Sequence, residues 1–529
     1  MFRDKYFNHE NIYIFSLALL VVSLPLSMFL LSVSQIALLV NWLLEGDFKR
    51  KWHVLKSRKS LPVFLSLYLI HLIWLFNTSD FSYAFHDLRV KLPLLVLPLV
   101  IGTSKQVSQL QFRIILSAFL MAVVVSSIIS MLVLVGMLPY QFDDIRQISL
   151  FISHIRFALL IVLAVFIGIW YVINDEKTSA KLIYGMAVLW LVAFLFILRS
   201  MTGVVAFVIT LLLLIFYVSI RQVNKRVKIG LWTGILLITA SMFFYIYNAW
   251  QAFYDVDPVN PEELEQFTAQ GNPYTHNLSG KDIENGQYVW LYVSEDELRE
   301  SWNQVSEIPY DSLDRKGHHI KYTLIRYLTS RGFRKDAEGV AKLSGDDIEA
   351  IESGIANHIF KDNRFGIYPR VYSIIWQIDQ YKKGRNPSGH SVTQRYIYLK
   401  TAFEIIGDHF WTGTGTGDVR NAFNEAYDKS ESQLSVKWRL RAHNQFVTFF
   451  ISFGIIGFLW SIIAIFYPLW YEKKYKDYFF MVFFIIAILS TINEDTLETH
   501  AGVSFFAFFF AFFLFRDNNS KMSLHENID

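Results

Sequence analysis

The sequence predicts an all-α integral membrane protein with about twelve transmembrane helices and one large, mainly helical loop domain. Hydrophobic residues make up 53% of the 529-residue chain and charged residues only 18%, whereas an ordinary globular chain carries about 25% charged residues. Apolar stretches of roughly 17–25 residues, the length that crosses a bilayer, recur along the chain. One long polar stretch, at residues 249–443, is large enough for a folded soluble domain.

The apolar stretches divide the chain into regions. Residues 12–44 are broken at Pro25 and are long enough for two short helices. About nine helices form an N-terminal membrane region at 1–248, and about three form a C-terminal one at 444–515. A loop domain at 249–443 lies between them, and a tail at 516–529 follows. The other predicted spans are 61–77, 91–103, 113–138, 155–173, 182–198, 204–220, 229–248, 445–470, 478–492 and 501–515.

Lysine and arginine in short loops predict the orientation. The loops at 45–60, 221–228 and 471–476 are strongly basic, and basic loops stay on the cytoplasmic side. With about twelve spans and a cytoplasmic N-terminus, all three loops and the tail fall on that side. The loop domain is therefore expected outside the cytoplasm. We expect a multi-pass membrane protein whose loop domain lies on the non-cytoplasmic side.

Composition excludes several classes of site. The chain has no cysteine, so disulfides, zinc–thiolate sites, iron–sulfur clusters and thiol nucleophiles are excluded. A net charge of +3 is too small to indicate nucleic-acid binding.

The segment 393–457 holds the densest set of candidate functional residues. It contains GTGTGD at 413–418, which lacks both a preceding strand and the G-x-G-x-x-G spacing of a dinucleotide site. Glycines at alternate positions suit a close backbone approach and positive φ angles. We expect a structural turn formed by Gly413, Gly415, Gly417 and Asp418.

His443 and Asn444 stand where the chain re-enters the membrane. Histidine is the side chain best suited to accept a proton near neutral pH, and Arg439 and Arg441 flank this one. A structural or hydrogen-bonding anchor at the membrane interface is the alternative interpretation of His443.

Two further groups are candidate ligands of a charged substrate. Several arginines lie at predicted outer helix ends, where they either snorkel to lipid headgroups or bind a diphosphate through their guanidinium forks. The last outer loop is acidic, and we favour ion pairs over a metal there because no third fixed ligand completes a cation site. The arginines are Arg89, Arg146, Arg156, Arg199 and Arg395, and the acidic residues are Glu494, Asp495 and Glu498.

Four segments together resemble the O-antigen ligase/polymerase family of bacterial envelope glycosyltransferases. They are SVTQRYIYLKTAFEII at 391–406, GTGTGD at 413–418, AHNQFVTFFISFGIIGF at 442–458 and EDTLETHAG at 494–502. The resemblance implies that His443 is the family's essential histidine and Arg395 its loop arginine. Both are therefore expected to be catalytic, His443 by taking the proton of the acceptor hydroxyl and Arg395 by holding the donor diphosphate. One departure concerns Arg199, which precedes Ser200 and is displaced by two positions from the family's Ser-Arg pattern.

The resemblance also implies an activity, its partners and a location in a bacterial inner membrane with the active site facing the periplasm. The family moves a glycan from undecaprenyl diphosphate to an acceptor hydroxyl, with inversion and without a metal or other cofactor. The acceptor is the lipid A core in a ligase and another glycan unit in a polymerase. The residues expected to bind substrate are Arg89, Arg156, Arg199, Arg441 and Asn444. From a different class, a polysaccharide transporter or flippase and a structural membrane scaffold stay open.

Overall fold

The computed structural model describes residues 8–142, 144–279, 281–362 and 367–516. It is mainly helical, with one two-stranded antiparallel hairpin. The chain divides into two compact units, of which the first contains Met1–Trp232 together with Asn386–Asp529 and the second Thr233–Arg385. Residues 386–443, which the sequence assigns to the loop domain, therefore group with the membrane helices. Of the predicted tail, only Arg516 lies within the described residues.

The helices of the first unit follow the predicted spans closely. In chain order they are α1 (His9–Leu26), α2 (Met28–Glu45), α3 (Phe48–Ser57), α4 (Ser60–Ile73), α5 (Phe81–Lys91), α6 (Pro93–Thr103), α7 (Gln109–Leu134), α8 (His154–Asn174), α9 (Thr178–Ile197), α10 (Met201–Arg221) and α11 (Lys225–Tyr254), the last of which continues into the second unit. After the second unit come α18 (Ser391–Asp408), α19 (Val419–Lys429), α20 (Gln445–Tyr471), α21 (Tyr478–Asn493) and α22 (His500–Leu514).

Nine helices of the described residues are long and apolar enough to cross a membrane, and α21 and α22 are shorter apolar helices. The chain is accordingly a multi-pass membrane protein. The prediction of a span at 91–103 is wrong in its detail, because α6 has 11 residues and is only about 16 Å long. The polar helix α5 precedes it, and Pro93 starts α6 with one residue between them. Tyr83, Asp87 and Lys91 on α5 are thereby carried beside the apolar helices.

Polar contacts concentrate at two ends of this unit. At the first, which we call the basic end, Lys105 pairs with Glu10 at 2.8 Å and Arg50 donates to the Thr103 carbonyl at 3.2 Å. At the second, which we call the site end, the Asp418 carboxylate accepts hydrogen bonds from the Ser79 and Asp80 amides. The apolar helix faces between these ends carry few charges.

The GTGTGD segment forms a turn at the site end. Gly413 and Gly415 have φ angles of 68° and 99°. The amides of Thr414 and Gly415 donate to the Ile451 and Ser452 carbonyls at 2.8 and 2.9 Å. This contact coincides with a break in α20 at Gly454, whose φ is 61°. Gly417 passes close to the Asp80 carbonyl, where a Cβ atom would overlap it.

The second unit has its own core. Its helices are α12 (Glu295–Val305), α13 (Ile320–Ser330), α14 (Ala337–Ala341), α15 (Gly345–Glu352), α16 (Ile359–Asp362) and α17 (Tyr368–Lys382), and its hairpin joins β1 (Ile283–Glu284) to β2 (Gln287–Tyr288). Trp302, Tyr310 and Leu324 are fully buried in one apolar cluster. The buried Glu284 carboxylate accepts hydrogen bonds from Arg326, Asn357 and Tyr372.

We predict that Gly454→Ala destabilises the protein by about 1–3 kcal/mol, because an alanine at this φ is strained and its Cβ atom would overlap the Trp411 carbonyl oxygen. Gly234→Ala in α11 is the control, since its Cβ atom would meet no atom within 4 Å. Thermal unfolding in detergent measures the difference. Equal melting temperatures for the two variants would contradict a structural role for the break.

Candidate functional site

Arg395, His443 and Glu494 meet at the site end. Arg395 lies in the first turn of α18, His443 just before α20, and Glu494 just after α21. The Glu494 carboxylate pairs with the Arg395 guanidinium through one oxygen and contacts His443 Nδ1 at 3.3 Å through the other. Arg395 also donates to the Asn493 side-chain oxygen at 3.1 Å. One carboxylate therefore joins α18, the start of α20 and the segment between α21 and α22.

The orientation of the His443 ring is fixed by its neighbours. His443 has a φ of 51°, and the next residue, Asn444, caps α20 by accepting from the Val447 amide at 3.1 Å. Asn444 also donates to the Ile492 carbonyl at 2.8 Å. The imidazole stacks on Tyr398 with ring centroids 5.5 Å apart. Because Nδ1 faces Glu494, Nε2 is the nitrogen left for another partner.

Glu494 is suited to be a permanent anion. Burial opposes its ionisation, but the hydrogen bond from His443 and the charge of Arg395 hold the pKa of Glu494 below its ordinary value. An ionised carboxylate at Nδ1 favours the tautomer that carries its proton there, and it stabilises an imidazolium.

His443 opens on a cavity of about 530 Å³. Acidic residues of the last outer loop form part of its wall, namely Glu494, Asp495 and Glu498. Arg395 is not among the lining residues. The basic side chains around the cavity are Arg156, Arg420, Lys437, Arg439 and Arg441.

These basic side chains differ in whether they are already neutralised. Arg439 pairs with Asp428, and Arg441 pairs with Glu498 at 2.9 Å. Arg156 donates to the Ser153 hydroxyl at 3.0 Å, and its buried Nε has no hydrogen-bond partner within the described residues. Arg420 is exposed and makes no ion pair in the described part of the chain. Arg156 and Arg420 are therefore the arginines most available to an anion.

A buried charge network supports the cavity wall. Glu498 lies between Arg441 and Lys91, with its Oε1 2.9 Å from Lys91 Nζ. Lys91 also pairs with Asp87 at 2.7 Å, and Gln445 donates to Glu498 at 3.0 Å. Burial opposes ionisation here too, but Lys91 and Arg441 hold the pKa of Glu498 well below its usual range. The network fixes the loop that carries Glu494.

Asp495 differs from Glu494 and Glu498 in the direction of its pKa shift. It is enclosed by protein and accepts a hydrogen bond from the Thr448 hydroxyl at 2.7 Å. Burial raises the pKa of Asp495 above its ordinary value.

Other predicted residues lie elsewhere. Arg89 is exposed, contacts His86 at 3.2 Å and does not line the cavity. Arg199 also lies outside the lining, and its charge interacts with Asp144, which pairs with Arg146. Asp418 does not cap α19 with its side chain, contrary to what its position suggests, because its carboxylate binds Ser79 and Asp80.

The described residues contain no group of three or more histidine or acidic side chains arranged to hold a metal ion. Each outer-loop carboxylate has a protein partner instead: Arg395 and His443 for Glu494, Thr448 for Asp495, and Lys91 with Arg441 for Glu498.

Sequence reasoning missed Arg420 and Lys91. Arg420 stands in the first turn of α19, where the helix dipole disfavours a cation, and that mismatch is a signal for an anion ligand. Lys91 is the first residue of the predicted span at 91–103, and a lysine within an apolar span indicates a functional role.

Residues 353–462 match the family model described as O-antigen ligase. This range contains three of the four segments that carry the resemblance, and the match confirms it. No curated protein matches the chain.

We predict that Lys91→Met lowers the free energy of unfolding by about 3–5 kcal/mol, because the buried Asp87 and Glu498 carboxylates lose their shared cation. Lys105→Met is the control, since it breaks only an exposed pair worth at most about 1 kcal/mol. Chemical unfolding in detergent compares the two variants. A loss in Lys91→Met no larger than in the control would show that the network contributes little stability.

Proposed function

We propose that this membrane protein with an O-antigen ligase domain is a glycosyltransferase that moves a glycan from undecaprenyl diphosphate to an acceptor hydroxyl of the lipid A core. The observation that carries the proposal is His443, which a carboxylate orients beside a cavity lined by two arginines that form no direct ion pair within the described residues. A base next to a site for negative charge is what this transfer requires.

The reaction balances with these groups alone. His443 Nε2 takes the proton of the acceptor hydroxyl while the acceptor oxygen bonds to the anomeric carbon of the donor. The bond from that carbon to the diphosphate oxygen breaks, and its electron pair stays on the diphosphate. A single displacement of this kind inverts the anomeric carbon. Glu494 stabilises the imidazolium that forms.

Arg156 and Arg420 are proposed to hold the diphosphate. Guanidinium forks bind phosphate oxygens bidentately, and they stabilise the charge that grows on the leaving group. Arg441, which is paired with Glu498, contributes further positive charge beside these two arginines. Arg395 acts through Glu494, because its fork is already occupied by Glu494 and Asn493. It is thus a positioning residue, and Arg395→Lys should lower kcat more than it raises KM.

The orientation of the chain is proposed from its charges. The basic end holds the loops that the positive-inside rule assigns to the cytoplasm, and the site end is opposite. We therefore assign the cavity to the periplasmic face of an inner membrane, where a carrier lipid reaches it from the outer leaflet.

A polymerase of the same family, with a glycan unit as acceptor, shares this machinery. In a strain that lacks the gene, loss of attachment with accumulated carrier-linked polymer indicates a ligase, whereas single-repeat products indicate a polymerase. A transporter or flippase is less favoured, because transporters place ionisable groups near the bilayer midplane and here they gather at the site end.

We predict that His443→Ala lowers transfer by about 10²–10⁴-fold per folded molecule while donor binding survives, because only the base is removed. His409→Ala is the control, since His409 is exposed and does not line the cavity. Purified protein with carrier-linked donor gives turnover and binding separately. Near-normal turnover by folded His443→Ala protein would end the catalytic proposal.

Arg420→Ala is predicted to weaken donor binding by about 10-fold or more, because it removes a charge-assisted contact to phosphate. Arg89→Ala, which removes an exposed arginine outside the cavity, should leave donor binding unchanged. Titration with carrier-linked donor measures both affinities. An equal loss in the two variants would mean that general surface charge, and not the cavity, attracts the donor.

We propose that no metal takes part, since the arginines supply the positive charge that the diphosphate needs. Turnover should then persist in excess EDTA. Complete loss of turnover that Mg²⁺ or Mn²⁺ restores would instead make Glu494, Asp495 and Glu498 metal ligands.

A further inference from the structure

A second cavity, of about 560 Å³, lies at the basic end and shares no lining residue with the site just described. Its walls are almost entirely apolar and include Trp42, Phe48, Trp52, Leu55 and Leu99. We call this cavity the interfacial groove. Its volume falls within the range of about 300–1,000 Å³ that is typical of ligand sites.

The short helix α3 forms one side of the interfacial groove. Phe48, Trp52 and Leu55 follow an i, i+4, i+7 spacing and therefore share one helical face. Phe48 and Trp52 are 54% and 58% exposed, so the protein itself does not cover this face. Aromatic residues on one face and lysines on the other are typical of helices that lie in the membrane interface.

The opposite wall is rigid. Trp42 donates from its indole to the Thr103 hydroxyl at 2.8 Å, and that hydroxyl donates to the Leu99 carbonyl at 2.6 Å. Lys51 is buried, pairs with Glu45 at 2.8 Å and lies over the Trp42 ring at 4.6 Å. The groove is thus a preformed cleft with no free polar group in its floor among these residues.

Two cations stand at the edge of the groove. Lys49 and Lys56 are exposed and seven residues apart, so they lie two turns apart on one side of α3, next to the apolar face. Neither forms an ion pair within the described residues, whereas Arg50 pairs with Glu45 and Asp47. Lys56 Nζ lies over the Trp52 ring, 5.0 Å from the ring centroid.

We infer that the interfacial groove binds an anionic glycerophospholipid, with an acyl chain in the apolar cleft and the phosphate headgroup at Lys49 and Lys56. The apolar walls suit a lipid acyl chain, and the positive charges of the two unpaired lysines complement the negative charge of the headgroup. This inference does not depend on the proposed transfer reaction, because it uses residues at the opposite end of the unit.

Native mass spectrometry of the full chain in detergent tests the site. The protein is titrated with phosphatidylglycerol and with phosphatidylcholine that has the same acyl chains. We expect preferential binding of phosphatidylglycerol and a loss of about 30-fold in its affinity for Lys49→Gln/Lys56→Gln, the effect of two surface cations. The affinity for phosphatidylcholine should not change.

Lys225→Gln/Lys228→Gln is the matched control, because it removes two exposed lysines of another basic segment that do not line the interfacial groove. It should keep the affinity of the parent protein for phosphatidylglycerol. Leu55→Trp, which fills the cleft, should weaken the binding of both lipids. Equal affinity of the parent protein for the two lipids, or an equal loss in the control, would overturn the inference. Transfer activity plays no part in these readouts.

Discussion

The Glu494 carboxylate is the contact on which the proposed active site depends. Its two oxygens bind Arg395 and His443, which reach it from α18 and from the start of α20. Without that anion the imidazole would have no partner at Nδ1 and Arg395 would face Asn493 alone. A single charge therefore sets the position of the base and holds together three segments that are distant in the sequence.

Keeping Glu494 in place requires a fixed loop, and the Lys91 network provides it. An isolated lysine beside apolar helices would be strongly destabilising, but Asp87 and Glu498 surround Lys91. Lys91 reaches Glu498 because the chain forms two short helices, α5 and α6, where one long membrane span could stand. The first of them, α5, is polar and lies beside the apolar helices. The short length of α6 is thus a consequence of how the site is built.

Most of the membrane helices could be predicted from the sequence, because long runs of hydrophobic residues indicate them directly. The segments around His443 and the glycine turn could be located because their residue types have few structural uses. The partner of Arg395 could not, since it lies 99 positions away at Glu494 and one sequence does not encode such pairings visibly. The same holds for Arg420, whose importance depends on which cavity its helix faces.

The arginines that line the cavity fall into two groups, those that form ion pairs with acidic residues and those that do not. Arg439 and Arg441 are neutralised by Asp428 and Glu498, so they contribute shape and stability. Arg156 and Arg420 form no ion pair within the described residues: Arg420 is exposed, and Arg156 interacts with the charges of Glu494 and Asp495 without direct contact. Under the proposed function a diphosphate binds these two arginines, and the negative charge on its leaving oxygen grows as the glycosidic bond breaks. The proposed arginine contacts would therefore stabilise the transition state more than the intact donor, which is the condition for catalysis rather than mere binding.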